Sequence, residues 1–257
     1  DATQDVKDLD SEEHVVASVV KTARAAAGAK PILIVAENEP QETWIVRPPD
    51  QEGFGADALW NDDAHHAAMV ALTRRGEAYY RDYQGSPQEL ISAARWGYLY
   101  QGQWYDWQEQ RRGTPGHDLM PHAFVTYLEN HDQVANSPFG RRLHQLSAPA
   151  QYRAMTAWLL LGPSTPMLFQ GQEFASSRAF LYFADDRGDL GEAVRNGRVE
   201  FLSQFPSLTD KRVVESLPPP GDEHTFDACK LDFDDRATHR APYALHTDLL
   251  RLRRTDP

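Results

Sequence analysis

The sequence predicts an α/β fold, a parallel sheet flanked by helices, on three observations. Apolar, β-branched runs of strand length recur along the chain. Each run ends abruptly in acids, amides or histidines. Each is followed by apolar residues at helical spacing, so the units read β then α, which implies parallel strands with right-handed crossovers. Four strands can be placed in the 257 residues, whereas a complete (β/α)8 barrel takes about 250. The chain thus spends a barrel's length on roughly half of a barrel's strands, because its βα loops are long.

In chain order, Ser11 with Glu12 and Glu13 reads as a helix N-terminus, the acids suiting the positive end of the helix dipole. Val15, Val16, Val19, Val20 and Ala23 recur at helical spacing, and Gly28 suits the C-cap. Ile32–Val35 is apolar at every position, which predicts a strand buried on both faces, and it ends in Ala36-Glu37-Asn38-Glu39. Ala56–Trp60 is the next strand-like run; Asp62 or Asp63 can then cap a helix through Met69, Val70 and Leu72. Residues 76–120 form a long insertion rich in Tyr and Trp, with a short helix at Pro87–Trp96. Most of these rings are expected to pack within the fold, and one or two to stack on a sugar ring. The run from Ala123 to Leu128 is the clearest strand, and it turns at once into Glu129-Asn130-His131-Asp132-Gln133. Pro149–Leu161 reads as a helix packing through Met155, Trp158, Leu159 and Leu161. Pro166–Phe169 reads as a strand ending near Glu173, Asp189–Phe205 as a helix, 211–235 as turns and Pro242–Arg254 as a closing amphipathic helix.

Composition narrows the function. The net charge of -12 disfavours nucleic acid and anionic membrane as partners and fits a neutral substrate. The apolar stretch near 154–169 is broken by Gly162, Pro163 and Pro166, so no membrane span is expected. The single cysteine, Cys229, allows no disulfide within the chain and suits a reducing, cytoplasmic setting. No phosphate loop and no cysteine cluster is present, so no cofactor is expected.

The polar groups at the strand ends are Glu37, Glu39, Asn61, Asp62, His65, His66, Glu129, His131, Asp132 and Glu173. In parallel α/β folds, chemistry sits at that C-terminal rim. Several carboxylates on one rim suit glycoside hydrolysis, in which one attacks or supports the anomeric carbon and another protonates the leaving oxygen. A metal is not expected, because His65 and His66 are adjacent and the helical His-x-x-x-His spacing of zinc hydrolases is absent.

Ile34-Val35-Ala36-Glu37-Asn38-Glu39 resembles the general-acid segment of the alpha-amylase family of glycoside hydrolases. Residues 128–134, with Asn130-His131-Asp132, resemble that family's Asn-His-Asp segment, and Asp1-Ala2 the start of its nucleophile segment. Trp60-Asn61-Asp62-Asp63 followed by His65-His66, Phe169–Phe174, and Gly197-Arg198 with Glu200-Phe201 resemble the family's trehalohydrolase branch. The resemblance implies the second half of a (β/α)8 TIM barrel without its N-terminal strands. It implies a retaining mechanism with Asp1 as nucleophile, Glu37 as general acid/base and Asp132 stabilising the oxocarbenium-like state. His131, Trp60, Asp62 and Gln133 would contact substrate, a maltooligosyltrehalose or related alpha-glucan oligosaccharide. The expected partner is the missing N-terminal half of the barrel, without which the chain is expected to be inactive. Two alternatives stay open: an alpha-glucan branching enzyme or alpha-amylase, and a non-catalytic glucan-binding remnant.

Overall fold

A computed structural model gives the structure of the chain and describes residues 1–8, 11 and 13–256. Six strands are present among them: β1 (Val35–Ala36), β2 (Ala58–Trp60), β3 (Gln103–Tyr105), β4 (Gln110–Arg112), β5 (Phe124–Tyr127) and β6 (Thr165–Met167). The main sheet has the order β1-β2-β5-β6. Val35 pairs with Ala58 and Leu59 with Phe124, both in parallel register. β3 and β4 form a separate antiparallel hairpin.

The helices are α1 (Val15–Ala27), α2 (Asp62–Thr73), α3 (Pro87–Trp96), α4 (His131–Ala135), α5 (Leu143–Leu146), α6 (Pro149–Leu161), α7 (Gly188–Ser203), α8 (Lys211–Glu215), α9 (Glu223–Cys229), α10 (Asp235–Thr238) and α11 (Arg240–Thr255). The chain divides into two compact units. The first comprises Asp1–Ala67, Ser86–Thr126 and Gly162–Met167, and the second comprises Ala68–Gly85, Tyr127–Leu161 and Leu168–Pro257.

The first unit holds the main sheet up to Thr126. Its core joins Val20 of α1, Ala36, Ile45, Ala56, Leu59, Tyr98 and Phe124, with Trp44 and Phe54 packed against them. Gly97 ends α3 with φ +79°, and a Cβ there would lie 2.4 Å from the Phe124 ring, so only glycine fits. Ser86 and Glu89 close the other end of α3 with a capping box.

In the second unit α6 packs against α11, and Arg253 on α11 donates to the Leu160 carbonyl at 3.0 Å. Tyr152, Met155, Thr156, Leu159 and Leu160 are the buried residues of α6, while Leu161 is exposed. The expected packing face is therefore shifted. Thr156 is accommodated because its hydroxyl donates to the Tyr152 carbonyl at 2.9 Å.

Two further expectations are corrected. The strand expected at Ile32–Val35 is confined to Val35–Ala36, and Leu33 is 65% exposed. The Asp57 carboxylate takes the Ile34 amide at 2.7 Å, where a ladder carbonyl would otherwise stand, and β1 is an edge of the sheet. The first helix starts at Val15 rather than Ser11, since His14 is its N-cap and its Nδ1 accepts from the Val16 amide. Glu12 lies outside the described residues. Of the apolar set on α1 only Val20 is buried. The segment at 211–235 also contains α8 and α9, each started by an aspartate cap, Asp210 and Asp222.

Candidate active site

In the first unit, residues 2–4 run alongside residues 37–39, just past the C-terminal end of β1. The Ala2 amide donates to Glu37 Oε2 at 3.0 Å. The Thr3 amide and hydroxyl both donate to the Glu37 carbonyl, at 3.0 and 2.7 Å. The buried Asn38 donates to Thr3 Oγ1, and the Glu39 amide donates to Gln4 Oε1. Asp1 is exposed and one residue from the amide that holds the Glu37 carboxylate. The structure thus brings the expected nucleophile and general acid segments together.

β2 ends at Trp60, whose carbonyl accepts from the Tyr98 hydroxyl at 3.0 Å. The helix that follows is capped by Asn61, not by Asp62 or Asp63. Asn61 Oδ1 accepts from the Ala64 amide at 3.1 Å, and Asn61 Nδ2 donates to the Gly97 carbonyl at 3.1 Å. Release from capping leaves both aspartates to other partners. Asp63 is fully buried and accepts from the Leu99 and Tyr100 amides, both at 2.8 Å.

Arg112 on β4 ties these acids together. Its side chain is only 1% exposed; Nη1 pairs with Glu39, Nη2 lies 3.9 Å from Asp62, and Nε lies 3.6 Å from Asp63. The guanidinium sits over the Tyr105 ring at 4.9 Å, a diagonal pair across the hairpin. Buried charge in contact with several carboxylates fixes their geometry, because any rearrangement would strand a charge out of water. Sequence reasoning missed Arg112, because Gln110-Arg111-Arg112 is polar at every position and carries no local signal of which residue is buried.

His65 and His66 are both buried, and their Nδ1 atoms lie 3.0 Å apart. Burial lowers His65 to about 3 and pushes His66 well below its ordinary value, with His65 and Arg112 adding to the second shift. The pair is neutral at pH 7, one ring donating to the other. Among the described residues no group of three or more His, Cys, Asp or Glu side chains could hold a metal ion.

In the second unit the chain leaves β5 through Leu128 and Glu129. Glu129 is not a rim acid: it is 2% exposed, accepts from the Leu143 amide, and burial raises its pKa. Asn130 then caps α4, its Oδ1 accepting from the Gln133 amide at 2.7 Å. This places His131 and Asp132 in the first turn, more than two-fifths exposed and 3.4 Å apart. Gln133 Oε1 accepts from the hydroxyls of Tyr79 and Tyr80, at 2.8 and 2.9 Å. Glu173 faces Arg236 at 3.6 Å.

No family model matches the chain. Curated relatives named malto-oligosyltrehalose trehalohydrolase do align with it. The protein from Deinococcus radiodurans is 37% identical over all of this chain and 42% of its own length. That from Arthrobacter ramosus is 32% identical over all of this chain and 44% of its own length. The crystal structure of a Salmonella typhimurium protein described as an alpha amylase superposes with a TM-score of 0.87 at 32% identity, covering 99% of this chain and 43% of that one. The chain belongs to the alpha-amylase family. Its sheet is part of a (β/α)8 barrel of that family of glycosidases, and the chain spans less than half the length of the relatives it matches. No helix among the described residues is long and apolar enough to cross a membrane.

Proposed function

We propose that these residues belong to a retaining glycoside hydrolase that cuts the α-1,4 bond next to the trehalose end of maltooligosyltrehalose. Asp1 attacks the anomeric carbon while Glu37 protonates the leaving oxygen; Glu37 then deprotonates the water that displaces Asp1 and releases the sugar. Asp132 stabilises the positive charge that builds on the ring, and His131, Trp60, Asp62 and Gln133 contact the substrate. The observation that carries the reading is the Ala2 amide on the Glu37 carboxylate, in a chain that aligns end to end with proteins named trehalohydrolases.

The whole chain acts, in this reading, as part of one catalytic barrel completed by residues beyond it, because it matches only 42–44% of those relatives. The isolated 257 residues are then inactive. A single buried cysteine suits a cytoplasmic setting.

The test is trehalose release from maltooligosyltrehalose by the longest natural chain that carries these residues. Glu37→Gln is expected to lower kcat about 10²–10⁴-fold, the scale of a lost general acid. Undiminished activity in that variant removes Glu37 from the mechanism. The likeness to a structure described as an alpha amylase favours a second reading, hydrolysis or branching of plain alpha-glucan. Glucose, maltose or branched product from maltooligosaccharide, in place of trehalose from the capped substrate, would establish it.

A further inference from the structure

We propose that Arg198 is a positioning residue for Asp132, acting through the C-terminal end of α4. The inference rests on Asp132 serving the reaction proposed above. α4 has five residues, too few to hold itself as a helix in water. Asn130 fixes its first turn. Of its last carbonyls, those of Asp132 and Val134 accept from Asn136 and Ser137 in the turn that follows, and that of Ala135 takes an outside donor.

Arg198, on α7, supplies partners at that end. Nη1 donates to Asn136 Oδ1 at 2.7 Å, and Nη2 donates to the Ala135 carbonyl and, at 3.2 Å, to the Ser137 carbonyl. The Asn136 amide in turn donates to the carbonyl of Asp132 itself. The guanidinium therefore reaches Asp132 through one side chain and one backbone hydrogen bond.

Its charge is matched in an unusual way. Among the described residues no carboxylate pairs with Arg198; the Tyr182 ring lies 5.0 Å from its guanidinium carbon. Desolvation lowers its pKa to about 10, so the charge persists at pH 7 in a half-buried site. Carbonyl oxygens at a helix C-terminus carry partial negative charge, and a cation there is stabilised. A planar fork serves two nitrogens and three oxygens at once; an ammonium at the same place cannot reproduce that geometry. The motif Gly197-Arg198 thereby gains a role that its sequence neighbours do not suggest. The Gly197 position is open, with nothing near a Cβ placed there, so the chemistry of the pair resides in the arginine.

The test measures kcat and KM in the longest natural chain that carries these residues. R198K is expected to lower kcat about 10- to 100-fold, since a misplacement on the order of 1 Å costs that much, with a smaller rise in KM because His131 and Gln133 sit on the same helix. R198A is expected to fall further and to be partly restored by added guanidinium at sub-denaturing concentration. The double variant R198A/D132N is expected to be no slower than D132N, because both changes act through one group. An R198K enzyme with undiminished kcat, or a double variant slower than D132N by the full R198A factor, overturns the proposal. If R198A does not fold, the R198K measurement alone decides between these outcomes. If D132N itself retains activity, the role given to Asp132 fails, and that failure is read independently of Arg198.

Discussion

The two units each hold a buried or half-buried arginine beside residues of the candidate site, and they use it in opposite ways. In the first, Arg112 faces Glu39, Asp62 and Asp63, so the guanidinium is surrounded by full negative charges. In the second, Arg198 faces carbonyl oxygens and an amide. The first arrangement holds a buried cation by Coulomb attraction, with Asp63 fully buried beside it and Glu39 reaching solvent, and loss of the cation leaves buried negative charge unpaired. The second is a set of dipolar contacts, each worth less, whose product is geometry rather than stability. Stability should therefore depend on Arg112 and turnover on Arg198.

The sharpest way to break that contrast is Arg112→Met. It removes the charge but keeps much of the volume, and leaves three carboxylates without their cation. A loss of about 3–5 kcal/mol is expected, the scale for breaking a buried ion pair, read as a fall in the urea midpoint. A loss below about 1 kcal/mol, the value of a surface pair, would place the cluster in effective contact with water.

The buried histidines of the first unit and Glu129 of the second also differ in the sign of their pH dependence. In the first, His65 and His66 have folded pKa values below the ordinary 6.5, so the unfolded chain takes up protons that the folded chain refuses. Their contribution is complete above about pH 6.5 and is lost as pH falls toward the folded values, about 3 for His65. Each histidine is expected to cost about 2 kcal/mol between pH 7.5 and pH 5. H65N should remove about half of that slope in urea titrations at a series of pH values, and an unchanged slope refutes the buried neutral pair.

Glu129, in the second unit, carries the opposite sign. Burial raises its pKa above the ordinary 4.5. Its contribution is complete below 4.5 and is lost as pH rises through the folded value. Glu129→Gln keeps an acceptor for the Leu143 amide and removes the charge. The variant is expected to gain about 1.4 kcal/mol at pH 8 for each unit by which the folded value exceeds 4.5, with little change at pH 4. Thermal melting at the two pH values measures this difference; an equal effect at both would refute the raised pKa, and a larger loss at pH 8 would show the carboxylate to be favourably paired.

Legibility from sequence divides along the same physical line. β5, α6 and the polar segment at 129–133 are local patterns, and each stands where periodicity and the switch to charged residues put it. The Ile32–Ile34 run is equally apolar, yet it is not strand, because the Asp57 side chain takes the Ile34 amide. That competition depends on a residue far along the chain and leaves no local trace. Arg112 is hidden for the same reason: its carboxylate partners come from two other strand ends, and the hairpin that aims it looks like a loop insertion. Glu129 was legible as an acid after a strand but not as a buried one, since burial depends on α5, which arrives later.

What the two units share tests whether the arginines are the real difference. After β2 and again after β5 an asparagine caps the helix, Asn61 through the Ala64 amide and Asn130 through the Gln133 amide, each three residues on. The cap starts the helix at the next residues, so Asp62 and His131-Asp132 stand in its first turn. Serine retains such a cap and alanine removes it, so the Ser-to-Ala difference isolates the cap at about 1 kcal/mol in both places. At Asn61 both substitutions also lose the donor to the buried Gly97 carbonyl, adding roughly 1 kcal/mol to each without altering their difference. Equal Ser-to-Ala differences at 61 and 130, measured by urea unfolding, mean that the strand ends are built alike and that the arginine chemistry is what separates them. A cap worth nothing at 130 would instead mean that Arg198 alone holds α4, and would shift to that residue the positioning now divided between the two ends of the helix.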